Sequence, residues 1–171
     1  MMSRSDSARA RQRGVTMVEA LVALVVLSVG MLGIAGLYVS SLRAERTAQL
    51  RTTAVQLVND MIDRIRANAQ ARAGYDLSTA TPAIKGCLAS SAPSPCTSED
   101  LAAEDLKVWT DATENFLPGG KADIVYTPAP ATGQPDTYEV SVEWVEPGTG
   151  PDGKATTLNY RNSLSLIAVT P

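Results

Sequence analysis

Gly14-Val15-Thr16-Met17-Val18-Glu19 opens the stretch on which the fold turns, and from Ala20 to Leu42 the chain carries no further charge. As a helix those uncharged residues extend roughly 35 Å, against a hydrocarbon core of about 30 Å. No other window of the sequence is long and apolar enough to span a bilayer. A carboxylate, Glu19, stands at its start, and a leader holding Arg4, Arg9, Arg11 and Arg13 precedes it. Arginines ahead of an apolar span keep that flank in the cytoplasm. The amino terminus is therefore expected inside and the chain from about Leu42 onward outside.

Beyond the span the apolar positions become periodic, at Leu42, Leu50, Ala54, Leu57, Val58, Met61, Ile62, Ile65 and Ala69. Steps of three and four make one stripe, with Arg51, Gln56, Asp60, Arg64 and Arg66 largely off it. One helix is thus expected from about Val15 to Arg72, with Gly74 as its stop. A stripe this regular is expected to pack on a sheet. Gly30, Gly33 and Gly36 interrupt the apolar half. Two readings of them stay open: close packing of helices in a membrane, or a section that melts when the helix is stretched.

The remaining sequence bounds the function. The chain has 171 residues, 44% of them apolar, and a formal net charge of -3. Without the leader and the span about 130 residues remain, enough for one modest domain. Histidine is absent, which excludes Ser-His-Asp and Cys-His catalysis and makes a zinc site or other metal centre unexpected. The leader and residues 42 to 72 are basic, whereas from Ala73 onward acids outnumber bases by thirteen to five. Such a head lacks the basic surface that nucleic acid requires. No cofactor and no catalytic residue is expected.

Residues 75 to 98 are rich in Ala, Ser, Thr and Pro and read as a loop region that contains Cys87 and Cys96. Outside the cytoplasm a structural disulfide is the expected state of such a pair. A redox-active pair is the rival, although it usually shows a two-residue spacing. Ser98 is expected to cap a short helix whose first turn holds Glu99 and Asp100. Leu101, Leu106, Trp109 and Phe116 would form its buried side, and Pro118-Gly119-Gly120 would end it. Its carboxylates, Glu99, Asp100, Glu104, Asp105, Asp111 and Glu114, are expected on a solvated face rather than around a metal.

Strands are expected at Ala122 to Thr127, Thr137 to Val145 and Thr156 to Val169. The second alternates, with Tyr138, Val140, Val142 and Trp144 on one face and Glu139, Ser141 and Glu143 on the other. The third places Leu158, Tyr160, Leu164, Leu166 and Ala168 together, interrupted by Asn162. Turns are expected at Pro128 to Asp136 and at Pro147 to Gly153. The fold class is α+β, a long amino-terminal helix packed on a small antiparallel meander.

Gly14 followed by Val15-Thr16-Met17-Val18-Glu19 and then Ala20-Leu21-Val22-Ala23-Leu24 resembles the amino-terminal signature of type IV prepilins. The resemblance implies the pilin-like fold and cleavage between Gly14 and Val15 by a prepilin peptidase, with methylation of the new amino terminus at Val15. The family usually starts its mature chain with phenylalanine, from which Val15 departs. Residues 1–14 would then be the leader, 15–42 the membrane and pilus-core half of the helix, and 43–171 the head with the amphipathic half. Glu19 has two readings. A carboxylate in the first helical turn is favoured by the helix dipole. It also suits pairing with the freed amine of a neighbouring subunit, because buried charges persist when paired. The dipole alone would accept an aspartate or a shifted carboxylate, so pairing is carried forward as the assembly role.

Three further stretches, Asp60-Met61-Ile62-Asp63-Arg64-Ile65-Arg66-Ala67-Asn68, Leu117-Pro118-Gly119-Gly120 and Val140-Ser141-Val142-Glu143-Trp144, resemble minor pilins of the PilV type, as does Trp109. That likeness implies a partner set of other minor pilins, pilin subunits, the inner membrane and the pilus assembly machinery. It implies a single-pass inner-membrane protein with a periplasmic head that later joins a surface pilus. Such proteins prime assembly at the pilus tip and support adhesion, twitching motility and DNA uptake, with no nucleic acid bound by this chain. A type II secretion pseudopilin of the same architecture is the alternative. A signal-anchored envelope protein is a second, and a cleaved secretory signal a third, although its apolar region is normally about 7 to 15 residues.

Overall fold

The computed structural model describes residues 15–88, 96–131, 134–149 and 154–167. Its element order is α1 (Met17–Ala67), a 3₁₀ segment (Ala69–Tyr75), α2 (Ser98–Phe116), β1 (Lys121–Thr127), β2 (Thr137–Thr149) and β3 (Ala155–Ile167). Two compact units meet at Glu45 and Arg46. The described part of the first unit is the apolar start of α1. The second unit holds the rest of α1 and everything after it.

In the second unit α1 buries Ala54, Leu57, Val58, Met61, Ile62 and Ile65. This is the expected stripe, with Leu50 and Ala69 half-buried at its ends and Leu42 exposed. Against it lie Leu106 and Trp109 of α2, Ile124 of β1, and Tyr138, Val140, Val142 and Trp144 of β2. The alternation of β2 thus marks its core face. The sheet is antiparallel with β2 central, in the order β1-β2-β3. Ile124 pairs with Val140, and Val140 with Leu164.

Several boundaries differ from expectation, each for a local reason. The α-helix ends at Ala67 rather than Arg72. Asn68 leaves the helix at φ -124°, ψ 49° and sends its side-chain amide to the Ser98 carbonyl (2.8 Å) and the Tyr75 hydroxyl (3.2 Å). An asparagine satisfied in this way competes with continued helix. The left-handed residue that follows is Arg72, at φ 42°, and not Gly74. Gly74 instead sits where the 3₁₀ segment presses on α2, its missing Cβ 3.5 Å from that of Ala102.

At α2 the cap is Thr97, one residue before the expected Ser98. Its hydroxyl oxygen accepts the Asp100 N–H at 3.1 Å. Phe116 is exposed and Leu117 is buried in its place, because the helix ends between them and the chain turns at Pro118. Only glycine fits at position 120, where a Cβ would stand 2.2 Å from the Thr113 carbonyl oxygen.

β2 runs on through Pro147, Gly148 and Thr149, which pair with Thr157, Thr156 and Ala155, so the expected turn at Pro147 to Gly153 shortens. β1 reaches only to Glu143 on its side of β2. Past that point β2 is itself an edge, where a proline's missing N–H costs no ladder bond. Residues 150–153, and the end of the third strand at Val169, lie outside the described residues.

Candidate functional site

The amino-terminal unit begins with a cap. The Thr16 side-chain oxygen accepts the Glu19 N–H at 3.2 Å, and its carbonyl accepts the Ala20 N–H at 3.1 Å. Thr16-Met17-Val18-Glu19 therefore has the spacing of a capping box, with the glutamate three residues after the cap. That signal was present in the sequence beside the dipole argument. Glu19 is exposed and stands in the first turn of α1.

From there the helix is apolar on all sides. Leu21, Val25, Leu32 and Leu37 are each more than half exposed, and none of the most apolar window is buried within the chain. A helix apolar all round needs a hydrocarbon or protein environment. The Ser28 hydroxyl donates to the Leu24 carbonyl at 2.7 Å, so it adds no unsatisfied group to such an environment. Helix continues through Gly30, Gly33 and Gly36, and a Cβ on any of them would meet nothing within 4 Å. Among the described residues, no contact requires those glycines.

Of the residues singled out from sequence, Gly14 lies outside the described residues. Val15 and Glu19 sit together at the exposed start of α1. Cys87 and Cys96 form a disulfide in the second unit, with an S–S distance of 2.08 Å. Its first cysteine is held by Glu104, one of the carboxylates expected on a solvated face. Glu104 is buried, and its carboxylate accepts the main-chain N–H groups of Cys87 (2.6 Å) and Lys85 (3.2 Å). Asp105 is also buried and accepts from Arg64 and from the Tyr75 hydroxyl, both at 2.8 Å. Burial, with Asp105 beside it, pushes the Tyr75 hydroxyl well above the ordinary tyrosine range. These two carboxylates fasten the cysteine loop and the 3₁₀ segment to α2. Among the described residues, no group of three or more His, Cys, Asp or Glu side chains is placed to hold a metal.

A second fastening closes the β1–β2 connection. Arg72 reaches Asp136 at 2.8 Å and donates to the Tyr126 hydroxyl at 3.2 Å. Asp136 also accepts the Ala129 N–H at 2.9 Å. That main-chain bond first, and then Arg72, holds the Asp136 carboxyl below the usual carboxylate range. The Tyr138 hydroxyl, which donates to the Arg72 carbonyl, is pushed up to about 12, mainly by burial.

Two stretches of this chain match known families. Residues 9–35 match the prokaryotic N-terminal methylation motif. Residues 36–107 match the Tt1218-like family, described as type IV pilin Tt1218. The chain belongs to the type IV pilin family. No curated protein and no solved structure matches it significantly. The methylation motif places this pilin in the context of prepilin peptidase processing and pilus assembly. Pilins are structural proteins, and the methylation motif with an exposed apolar amino-terminal helix fits membrane anchoring followed by a pilus.

Proposed function

We propose that this pilin is a minor pilin of the PilV type, which joins other minor pilins to prime type IV pilus assembly at the tip. In that role it supports adhesion, twitching motility and DNA uptake. A peptidase cuts between Gly14 and Val15 and the new amine of Val15 is methylated. The apolar half of α1, residues 15–42, first occupies the inner membrane with the amino terminus in the cytoplasm and the head, residues 43–171, in the periplasm. It then passes into the filament core.

The observation that carries this reading is the bare apolar surface from Val15 to Leu42, which starts at a capped turn bearing Glu19 and has no cover among the described residues. The cut leaves a cation next to the positive end of the helix dipole, an unfavourable position unless a carboxylate answers it. Glu19 of one subunit beside the amine of the next meets that need. The motifs at Asp60–Asn68, Leu117–Gly120 and Val140–Trp144 support the subtype. In this fold they form the end of α1, the turn after α2 and the central strand.

Mass spectrometry of the protein from cell envelopes and sheared pili tests the reading. It predicts a mature chain that begins with N-methylated Val15, and a deletion strain with few pili and impaired twitching. A chain that still begins at Met1 overturns it. A deletion that blocks protein secretion and leaves twitching intact replaces it with the type II secretion pseudopilin.

A further inference from the structure

The two edges of the sheet are finished differently. Along β1 the chain returns, and the Leu77 N–H donates to the Ile124 carbonyl at 3.0 Å. Along β3 no described segment lies, and on its core-facing side Tyr160 is half-buried against Trp144 while the leucines to either side of it stay partly exposed. Leu164 pairs with Val140 and Tyr160 with Trp144, so these β3 side chains share the buried face of β2. Val140 and Trp144 are 0% and 4% exposed, whereas Leu164 and Leu158 remain 48% and 37% exposed.

The Arg51 guanidinium lies 5.0 Å over the Tyr160 ring, which sets one flank of α1 beside β3. One turn further along that flank, Val55 is 44% exposed. Val55 on α1 and Leu158 and Leu164 on β3 are thus apolar side chains left partly exposed on the two elements that Arg51 and Tyr160 bring together. Open edges are normally short or guarded by charge or proline. β3 has thirteen residues, no proline and no acid. Its one base, Arg161, is turned to the opposite face, where it meets Glu143 and Ser141.

We infer that β3 receives an extended segment of a different pilin-family subunit as a fourth strand. Its alternate apolar side chains cover Leu158, Leu164 and Val55, and a carboxylate on it meets Arg51. Charge selects this occupant. Arg51 is more than half exposed and touches Glu146 only at 3.9 Å, while Glu146 is committed to the Trp144 indole at 2.7 Å. Its guanidinium therefore keeps donors for an incoming acid. A second copy of β3 has no acid to offer. The apolar area left bare is a small part of the roughly 1,600 Å² that a standard stable interface buries. The added strand accordingly works between subunits already tethered by their amino-terminal helices, where effective concentration replaces affinity. The inference rests on the minor-pilin reading and names one of its contacts.

The full-length chain, expressed in its own piliated cells with Leu164→p-benzoylphenylalanine or, in parallel, Val55→p-benzoylphenylalanine, provides the test. Oxidised Cys87–Cys96 verifies that each variant has folded. Irradiation is expected to give an adduct with another protein that has its own prepilin leader. The cross-linked peptide should alternate apolar and polar residues. The same probe at Asn115 on α2 should not give it. Arg51→Glu is expected to lower the adduct yield about tenfold and Arg51→Lys less than about twofold. Adducts with a second copy of this chain, with lipid only, or with nothing at both positions overturn the inference. The amino terminus read in the same sample separates the two failures. A chain that starts at Val15 without the adduct loses only the strand contact, and one that starts at Met1 loses the assembly reading itself.

Discussion

The Trp109 indole on α2 donates to the main-chain carbonyl of Leu57 on α1 at 2.8 Å, across fifty-two residues of sequence. Both groups lie in the core, so the bond fixes the height at which α2 meets the long helix as well as the contact itself. Trp109→Phe keeps most of the ring packing and removes the donor. It is expected to cost about 2 to 3 kcal/mol, part hydrogen bond and part cavity. Thermal unfolding of the full-length chain in detergent reads this directly. An unchanged midpoint would show that the bond contributes nothing.

Asp105 joins α1, through Arg64, to the 3₁₀ segment, through Tyr75. Removal of one partner from a buried ion pair is costly because the other stays desolvated. Arg64 keeps partial exposure and a second partner in Asp60, which moderates the loss. Asp105→Ala is expected to destabilise by about 2 to 3 kcal/mol, and Tyr75→Phe by about 1 kcal/mol. Denaturant unfolding of both variants and the double variant gives the coupling. Strict additivity would contradict a shared network.

The Cys87–Cys96 bond closes a short loop, for which the chain-entropy relation gives about 2.5 kcal/mol. Cys87→Ser with Cys96→Ser, or reduction of the wild type, is expected to lower stability by that amount. The core of α1 and the sheet should remain folded. Glu104, which holds the Cys87 and Lys85 N–H groups, should keep those two residues docked even without the bond. Protease cleavage after reduction is therefore expected beyond Cys87 and before Thr97. Cleavage at Lys85 would show that Glu104 does not hold the loop.

What was legible in the sequence was the part written in periodicity. The α1 stripe from Ala54 to Ile65 and the β2 alternation from Tyr138 to Trp144 each predict their own burial, because helix and strand periods are local properties. The end of α1 was not legible, because the partners of Asn68 are Tyr75 and the carbonyl of Ser98, thirty residues on. Glu104 and Asp105 looked solvated for the same reason. Adjacent acids on a helix reveal nothing of the N–H groups and the arginine that tertiary structure brings to them. Phe116 and Leu117 exchanged roles because a helix end displaced by one residue rotates every later side chain. At the amino terminus the Thr16-x-x-Glu19 spacing is itself a legible helix start, set against an apolar run whose length speaks only for the membrane.

Asp136 gives the head an acid-sensitive contact. Its folded carboxyl is held below the usual range by the Ala129 N–H and Arg72, whereas the unfolded chain takes up its proton near about 3.9. Below that value the unfolded state binds more protons, so stability falls with pH. The contribution is fully present above the unfolded value and lost as pH drops through the folded one. Asp100, held down by the Thr97 hydroxyl, adds in the same direction. The unfolding midpoint is expected to be level from neutral pH down to about 5 and to fall below about 4. Asp136→Asn should flatten that fall. An acid limb of the same slope in the variant would assign it to other carboxylates.

The start of α1 separates two roles that one carboxylate could serve. At the cap, the Thr16 hydroxyl accepts the Glu19 N–H, a contribution of about 1 kcal/mol that loss of the Thr16 side chain removes locally, and the Glu19 carboxylate adds only a favourable charge at the positive end of the helix dipole. As the proposed partner of a neighbouring subunit's Val15 amine, it contributes its charge, and Thr16 contributes nothing. Three variants distinguish the roles. Thr16→Ala removes the cap and keeps the charge. It is expected to be cleaved, inserted and incorporated into filaments at near wild-type level. Glu19→Ala is expected to insert, because loss of a charge from the edge of an apolar span eases rather than hinders insertion, and to be absent from sheared filaments. Glu19→Gln is the sharpest case, since an amide can fill the box position but cannot neutralise an amine. Glutamine is expected to behave as alanine does in incorporation and as wild type in insertion. If Glu19→Gln enters filaments normally and Thr16→Ala does not, the residue acts as a cap and the paired-charge role fails.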